Sequence, residues 1–150
     1  MKKFWEFIAT GFYSGKLPKM PGTWGSITAA ILLYFFWPEN IVYQVVIIAV
    51  TFVLSTISSQ SLSEQLGDND PDSVVIDEII GMEIAMLGIK TTLPAVVAAL
   101  VIFRIIDIMK PPPIKLFEKL PGGFGITVDD MFAGLYSNIL LRLLVWRHYV

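Results

Sequence analysis

The stretch Leu93-Pro94-Ala95-Val96-Val97-Ala98-Ala99-Leu100-Val101-Ile102-Phe103 contains no polar side chain, and its reading decides the fold. As a helix it rises only about 16 Å at about 1.5 Å per residue. A lone helix crossing a bilayer needs about 20 apolar residues. Four more apolar blocks share the chain: Ile27 to Trp37, Ile41 to Ile57, Ile79 to Ile89 and Met131 to Trp146. Two readings suit such blocks: short or re-entrant membrane helices, or the buried core of a compact helical protein. Five blocks in 150 residues leave little polar sequence to clothe a soluble surface, which favours the membrane. The expectation is an all-α, compact bundle of short apolar helices in a polytopic membrane protein. No linker or low-complexity tract divides it, so residues 1–150 form a single domain.

Composition narrows the chemistry. Apolar residues make up 55% of the chain and charged ones 16%, against about 25% charged in a soluble domain. A net charge of −2 gives no positive field to attract polyanions, so no nucleic-acid partner is expected. There is no cysteine and a single histidine, His148. Thiolate zinc sites, cysteine nucleophiles and histidine triads are thereby excluded. Carboxylates, hydroxyls, amines and backbone amides are what is left.

Suppose that Pro38-Glu39-Asn40 and Lys90-Thr91-Thr92 are turns at the far side of two helical hairpins. Lys2, Lys3, Lys16, Lys19, Arg104, Lys110, Lys115 and Lys119 then gather on the near side, with Lys90 opposite. That is the positive-inside asymmetry, so the near side is expected to be cytoplasmic. Arg142 and Arg147 do not orient the last helix. Lys2-Lys3 is followed by too short an apolar stretch, and by no small-residue cleavage site, for a signal peptide.

Three polar segments fall on that near side. The first, Lys16 to Ser26, contains Pro21-Gly22-Thr23-Trp24-Gly25-Ser26 and precedes a helix. Its glycine amides and the helix N-terminus could receive a phosphate, with Ser26 as the cap; an ordinary proline-glycine turn with a serine cap explains it equally well. The second starts as an acidic, solvated loop, Asp68 to Ser73, after Gly67 as a helix stop, and ends in Asp77-Glu78 with Gly81. One acid suffices for a helix cap; a second at the edge of hydrocarbon points to function. In the third, Arg104, Asp107 and Lys110 recur every three residues along one helical face. Alone that triplet is a surface ion-pair ladder. Asp129-Asp130 with Gly134 then echoes Asp77-Glu78 with Gly81 as a second helix start, and a small residue there lets another helix approach.

Asp77, Glu78, Asp107, Asp129 and Asp130 against Arg104 and Lys110 leave three negative charges uncompensated. Two carboxylates about 4 Å apart repel by roughly 4 kcal/mol at an effective dielectric near 20. A cation is therefore needed, and all-oxygen ligation suits Mg²⁺ or Mn²⁺ better than zinc. One dication or two are both compatible with this balance.

With these motifs in order, the chain resembles the phosphatidylglycerophosphatase A family, magnesium-dependent membrane phosphatases of bacterial phospholipid synthesis. The resemblance covers nearly the whole length and rests on Pro21 to Ser26, on Val75-Ile76-Asp77-Glu78 with Gly81, on Phe103-Arg104 with Asp107 and Lys110-Pro111, and on Gly122-Gly123, Gly125-Ile126, Asp129-Asp130 and Ala133-Gly134. It implies removal of the terminal phosphate of phosphatidylglycerophosphate, an anionic phospholipid, at the bacterial cytoplasmic (inner) membrane. It places Asp77, Glu78, Asp107, Asp129 and Asp130 in the catalytic site, with Arg104 and Lys110 beside them, and Asp70 matches a further family acid less closely. Pro112, where the family often has an aromatic residue, and Thr127, where it has a hydrophobic one, are departures that remove no charged group.

The mechanism expected on that basis has Mg²⁺ held by Asp77, Glu78, Asp129 and Asp130. Asp107 or Glu78 is the general base, and water or an aspartate the nucleophile. Thr23, Ser26, Arg104 and Lys110 bind the phosphate, while Lys16 and Lys19 steer the anionic lipid. The competing reading is a non-enzymatic membrane protein conducting cations along its acids. That requires acids spread through the membrane depth, and Glu83 alone lies well inside a block. Glu83 itself fits three roles: buried partner, site residue or lipid-shielded protonated acid.

Overall fold

Asn40 and Thr92 end the two far turns in extended backbone, and each accepts a backbone amide that a starting helix leaves unpaired. The bonds run from Val42 N to Asn40 Oδ1 at 2.8 Å and from Ala95 N to Thr92 Oγ1 at 3.3 Å. In the computed structural model, which describes residues 2–117, 120 and 122–146, the chain is all helical. The helices are α1 (Lys2–Ala9), α2 (Pro21–Phe36), α3 (Ile41–Leu66), α4 (Ile76–Ala85), α5 (Leu93–Met109), α6 (Ile114–Phe117) and α7 (Gly122–Trp146), and there is no strand among the described residues.

The hairpin supposition is borne out. Gly88 N donates to Gln44 Oε1 at 2.7 Å, tying the turn after α4 to the start of α3. Glu39, Lys90 and Thr91 line one shared cleft there. α7 begins at the opposite end and runs to this one, where Arg142 Nη2 donates to Leu87 O at 2.8 Å. That contact supplies the direction of the last helix, which its own charges leave open. Lys119, Arg147 and His148 lie outside the described residues.

Two helices outrun their apolar blocks. α3 continues past Ile57 to Leu66, because Ser55, Ser58, Ser59 and Ser63 are buried on its inner side. Ser55 Oγ and Thr127 Oγ1 share a hydrogen bond of 2.7 Å across to α7. Gly67, at φ +67°, then stops the helix as expected, its N–H bonded to Ser63 O. α7 starts at Gly122, so Asp129 and Asp130 lie two turns inside it rather than at a helix start. α2 starts at Pro21, and Ser26 is a buried interior residue whose hydroxyl donates to Gly22 O at 2.8 Å. The cap expected of Ser26 is thus corrected: Pro21 lacks an amide hydrogen and opens the helix one turn sooner.

α4 is the axis of the bundle. It is ten residues long, about 15 Å, and nearly every residue in it is buried among α2, α3, α5 and α7. Met82, Met86, Phe103, Ala133 and Leu141 form the core around it. α4 and α7 cross at Gly81 and Gly134, where a Cβ on Gly134 would sit 2.2 Å from Gly81 O. The small residues of the repeated motif thus meet each other. Much of the outer surface is apolar, with Phe35, Phe36, Val46, Val50, Val101 and Ile105 all exposed. Among the described helices, α3 alone is long and apolar enough to cross a membrane by itself, and only 17% of its most apolar window is buried.

Candidate active site

Three helices deliver charged side chains to one cavity of about 460 Å³ at the near end, and a fourth walls it. α4 contributes Asp77 and Glu78 from its first turn, and α7 contributes Asp129 and Asp130. α5 brings Arg104 and Asp107, with Lys110 as its C-cap residue. Met20, Pro21 and Gly22 at the start of α2 close one wall. A Cβ on Gly22 would meet Glu78 Oε1 at 2.3 Å, so glycine is what lets α2 come this close.

Within the cavity the acids divide into two sets. One carboxylate oxygen from each of Asp77, Glu78 and Asp130 lies within 4.8 Å of the others. Asp129 turns aside, accepting from Lys110 Nζ at 2.9 Å and from the Asp130 amide at 3.1 Å. Asp107 is paired with Arg104, whose guanidinium also stands 3.9 Å from Glu78 Oε1. Asp77 Oδ1, Glu78 Oε2 and Arg104 Nε are buried without a hydrogen-bond partner.

Burial and crowding show in the acidities. Burial, and then the neighbouring Glu78 carboxylate, push the Asp77 carboxyl well above its ordinary range. Glu78 is pushed up to about 8 by burial and then by Asp130. Asp130 is raised well above its usual value by burial and then by the charge of Asp107. Asp129 is raised to about 6 by burial, which outweighs its hydrogen bond and ion pair with Lys110. At about 5 Å, each pair of ionised carboxylates repels by roughly 3 kcal/mol at an effective dielectric near 20.

Three converging carboxylates, two of them with an unpartnered buried oxygen, and no nitrogen or sulfur donor, could hold a hard divalent cation. Of the four acids expected to hold the metal, Asp77, Glu78 and Asp130 converge, and Asp129 serves Lys110 instead. Of the four residues expected to bind the phosphate, Arg104 and Lys110 line the cavity. Thr23 is half-buried just beyond its wall, and the hydroxyl of Ser26 is occupied by Gly22 O. Asp70 and Asp72 of the acidic loop also line the cavity, so that loop is part of the site as well as solvated. Buried Pro71 between them was the available signal, since its carbonyl accepts from Val74 N at 2.9 Å and holds the loop over the site.

Residues 7–145 match the family model described as phosphatidylglycerophosphatase A. An Escherichia coli phosphatidylglycerophosphatase A is 37% identical over 94% of this chain and 83% of its own length. A Haemophilus influenzae phosphatidylglycerophosphatase A is 36% identical over 91% of this chain and 85% of its own. A Bacteroides thetaiotaomicron protein, provisionally named a phosphatidylinositol-3-phosphatase, is 36% identical over 93% and 92%. No solved structure matches.

Proposed function

The chain belongs to the phosphatidylglycerophosphatase A family, and from that premise we propose that it hydrolyses phosphatidylglycerophosphate to phosphatidylglycerol and inorganic phosphate, with Mg²⁺ held by Asp77, Glu78 and Asp130. The observation that carries this reading is the meeting of those three carboxylates beside Arg104 and Lys110 in one open cavity. All three relatives are named as phosphatases of phosphorylated phospholipids.

Bound by these oxygens, the cation supplies charge neutralisation for the phosphoryl group and a lowered pKa for water. The chain's own groups do the remainder. Arg104 and Lys110 hold the phosphoryl oxygens, where charge spreads in the transition state. Asp129 fixes the Lys110 ammonium at the cavity wall. Asp107, oriented by Arg104, takes the proton of the attacking water. As water oxygen bonds to phosphorus, the ester P–O bond breaks, and the glycerol oxygen takes up the proton that Asp107 received, which restores the carboxylate. Thr23 remains a rim donor in this reading.

The apolar belt and the near-side lysines support a membrane protein of the bacterial cytoplasmic membrane with its site facing the cytoplasm. An ion path through the bundle is disfavoured, because among the described residues Glu83 is the one buried acid outside the cavity, its Oε1 accepting from Thr51 at 3.0 Å and its Oε2 unpartnered. The experiment is phosphate release by the purified protein from phosphatidylglycerophosphate in micelles, with Mg²⁺ and then with EDTA. Release that stops in EDTA and returns with Mg²⁺ is expected. Release undiminished by EDTA refutes the metal, and hydrolysis of phosphatidylinositol 3-phosphate alone reassigns the head group.

A further inference from the structure

The C-terminal end of α5 serves two cavities. Asp107 and Lys110 line the acid cavity, while their neighbours Ile106 and Pro111 line a separate apolar groove of about 260 Å³. The groove continues along α7 past Tyr136 to Ile139 and Leu140. Tyr136 donates its hydroxyl to Pro112 O at 3.3 Å, fixing the proline turn against α7 at the rim. From Asp129 to Leu140 α7 rises roughly 16 Å. One leaflet of hydrocarbon is about 15 Å deep, half of the roughly 30 Å core.

We propose that this groove receives an acyl chain of the phospholipid whose phosphomonoester enters the acid cavity, an assignment that rests on the phosphatase reading above. A phosphate held at Lys110 leaves its glycerol beside Pro111, at the upper end of the groove. The acid cavity and the groove together span the depth of one leaflet, the groove itself about 6 Å of it from Tyr136 to Leu140, and each methylene laid against Ile106, Ile139 and Leu140 strengthens binding. A second apolar groove, between α3, α4 and α7, lies toward Val45 and Leu87 at the far end, and only Met131 adjoins an acid-cavity residue. Its position suits bulk lipid rather than substrate.

Two measurements test the assignment. In the first, purified protein in detergent micelles is photolabelled with phosphatidic acid carrying a diazirine midway along one acyl chain. Label is expected in the segment containing Ile139 and Leu140, competed by unlabelled phosphatidic acid and not by phosphatidylcholine. Label spread evenly over the outer faces of α2, α3 and α5, or indifferent to competitor, overturns the groove. In the second, kcat/KM is compared for dioleoyl phosphatidylglycerophosphate and its deacylated head group. Ile139→Trp and Leu140→Trp fill the groove and are expected to lower the diacyl-to-deacyl ratio by about tenfold. Leu143→Trp, on the exposed part of α7 outside the groove, is expected to keep the wild-type ratio. Equal ratios in all three variants overturn the proposal. Should wild-type protein release phosphate from neither compound, the phosphatase reading fails, and the labelling pattern still decides for or against the groove.

Discussion

At the far end of the bundle the side chain of Gln44 donates to Pro38 O and accepts from Gly88 N, both at 2.7 Å. Asn138 donates to Ala85 O and Leu87 O, closing the last carbonyls of α4, and accepts from Arg142 Nε. Trp37 Nε1 is the one neutral N–H left over there among the described residues. At the near end α4 begins with buried acids instead, and Asp77 Oδ1, Glu78 Oε2 and Arg104 Nε have no partner. The same ten-residue helix thus ends in a closed network and starts in an open one. A closed network stabilises a fold; charged groups left open and crowded cost stability unless something binds them.

The contrast is broken most severely by Asp77→Asn or Asp130→Asn. Either is expected to lower phosphate release by about a thousandfold, while raising the melting temperature in EDTA because a crowded charge is gone. Loss of activity through loss of folding would contradict it. Next in size is the response to the cation. Mg²⁺ at about 100 times its dissociation constant should stabilise the wild type by about 2.7 kcal/mol and leave Asp130→Asn nearly unmoved.

That response should grow with pH. Glu78 goes from an ordinary 4.5 to about 8 in the metal-free fold. Between those values the unfolded chain holds fewer protons than the folded one, so stability in EDTA falls as pH rises through the interval. Mg²⁺ should flatten that slope, and melting curves from pH 5 to 9 with and without it measure the difference.

A lesion at the closed end should do the reverse. Asn138→Leu strands the carbonyl of Ala85 and Arg142 Nε, and leaves Leu87 O with the Arg142 Nη2 bond alone. It is expected to cost about 1–3 kcal/mol of stability, while kcat per folded molecule changes little. The smallest effect belongs to Lys90→Ala, on the exposed far turn, with stability within about 0.5 kcal/mol of wild type and unaltered phosphate release. Lys110→Ala, of the same chemistry beside the acids, should lose activity.

Much of this was legible from local rules. The far turns were readable because Asn40 and Thr92 are strong helix starters after polar breaks, and Gly67 because only glycine readily takes its left-handed backbone. The acids stood out because paired charges beside apolar runs are expensive. The starts of α2 and α7 were misplaced for the opposite reason. Ser26 and Asp129 have cap chemistry, yet both are interior residues whose side chains found partners at Gly22 O and Lys110. The polar half of α3 is not legible because Ser55, Ser58, Ser59 and Ser63 are buried rather than facing water, Ser55 against Thr127 of α7.

The sequence alone determined the class of the molecule and its chemistry: an apolar helical chain, without cysteine and with a lone histidine, whose acids call for a hard cation. These follow from composition and from the cost of charge beside hydrocarbon. Which acids converge, and which one pairs with a lysine instead, was decided only by packing. The crossing of α4 and α7 at Gly81 and Gly134 brings Asp130 to Asp77 and Glu78 and turns Asp129 toward Lys110. Neighbours on a helix point about 100° apart, so adjacency along the chain cannot specify which carboxylates converge.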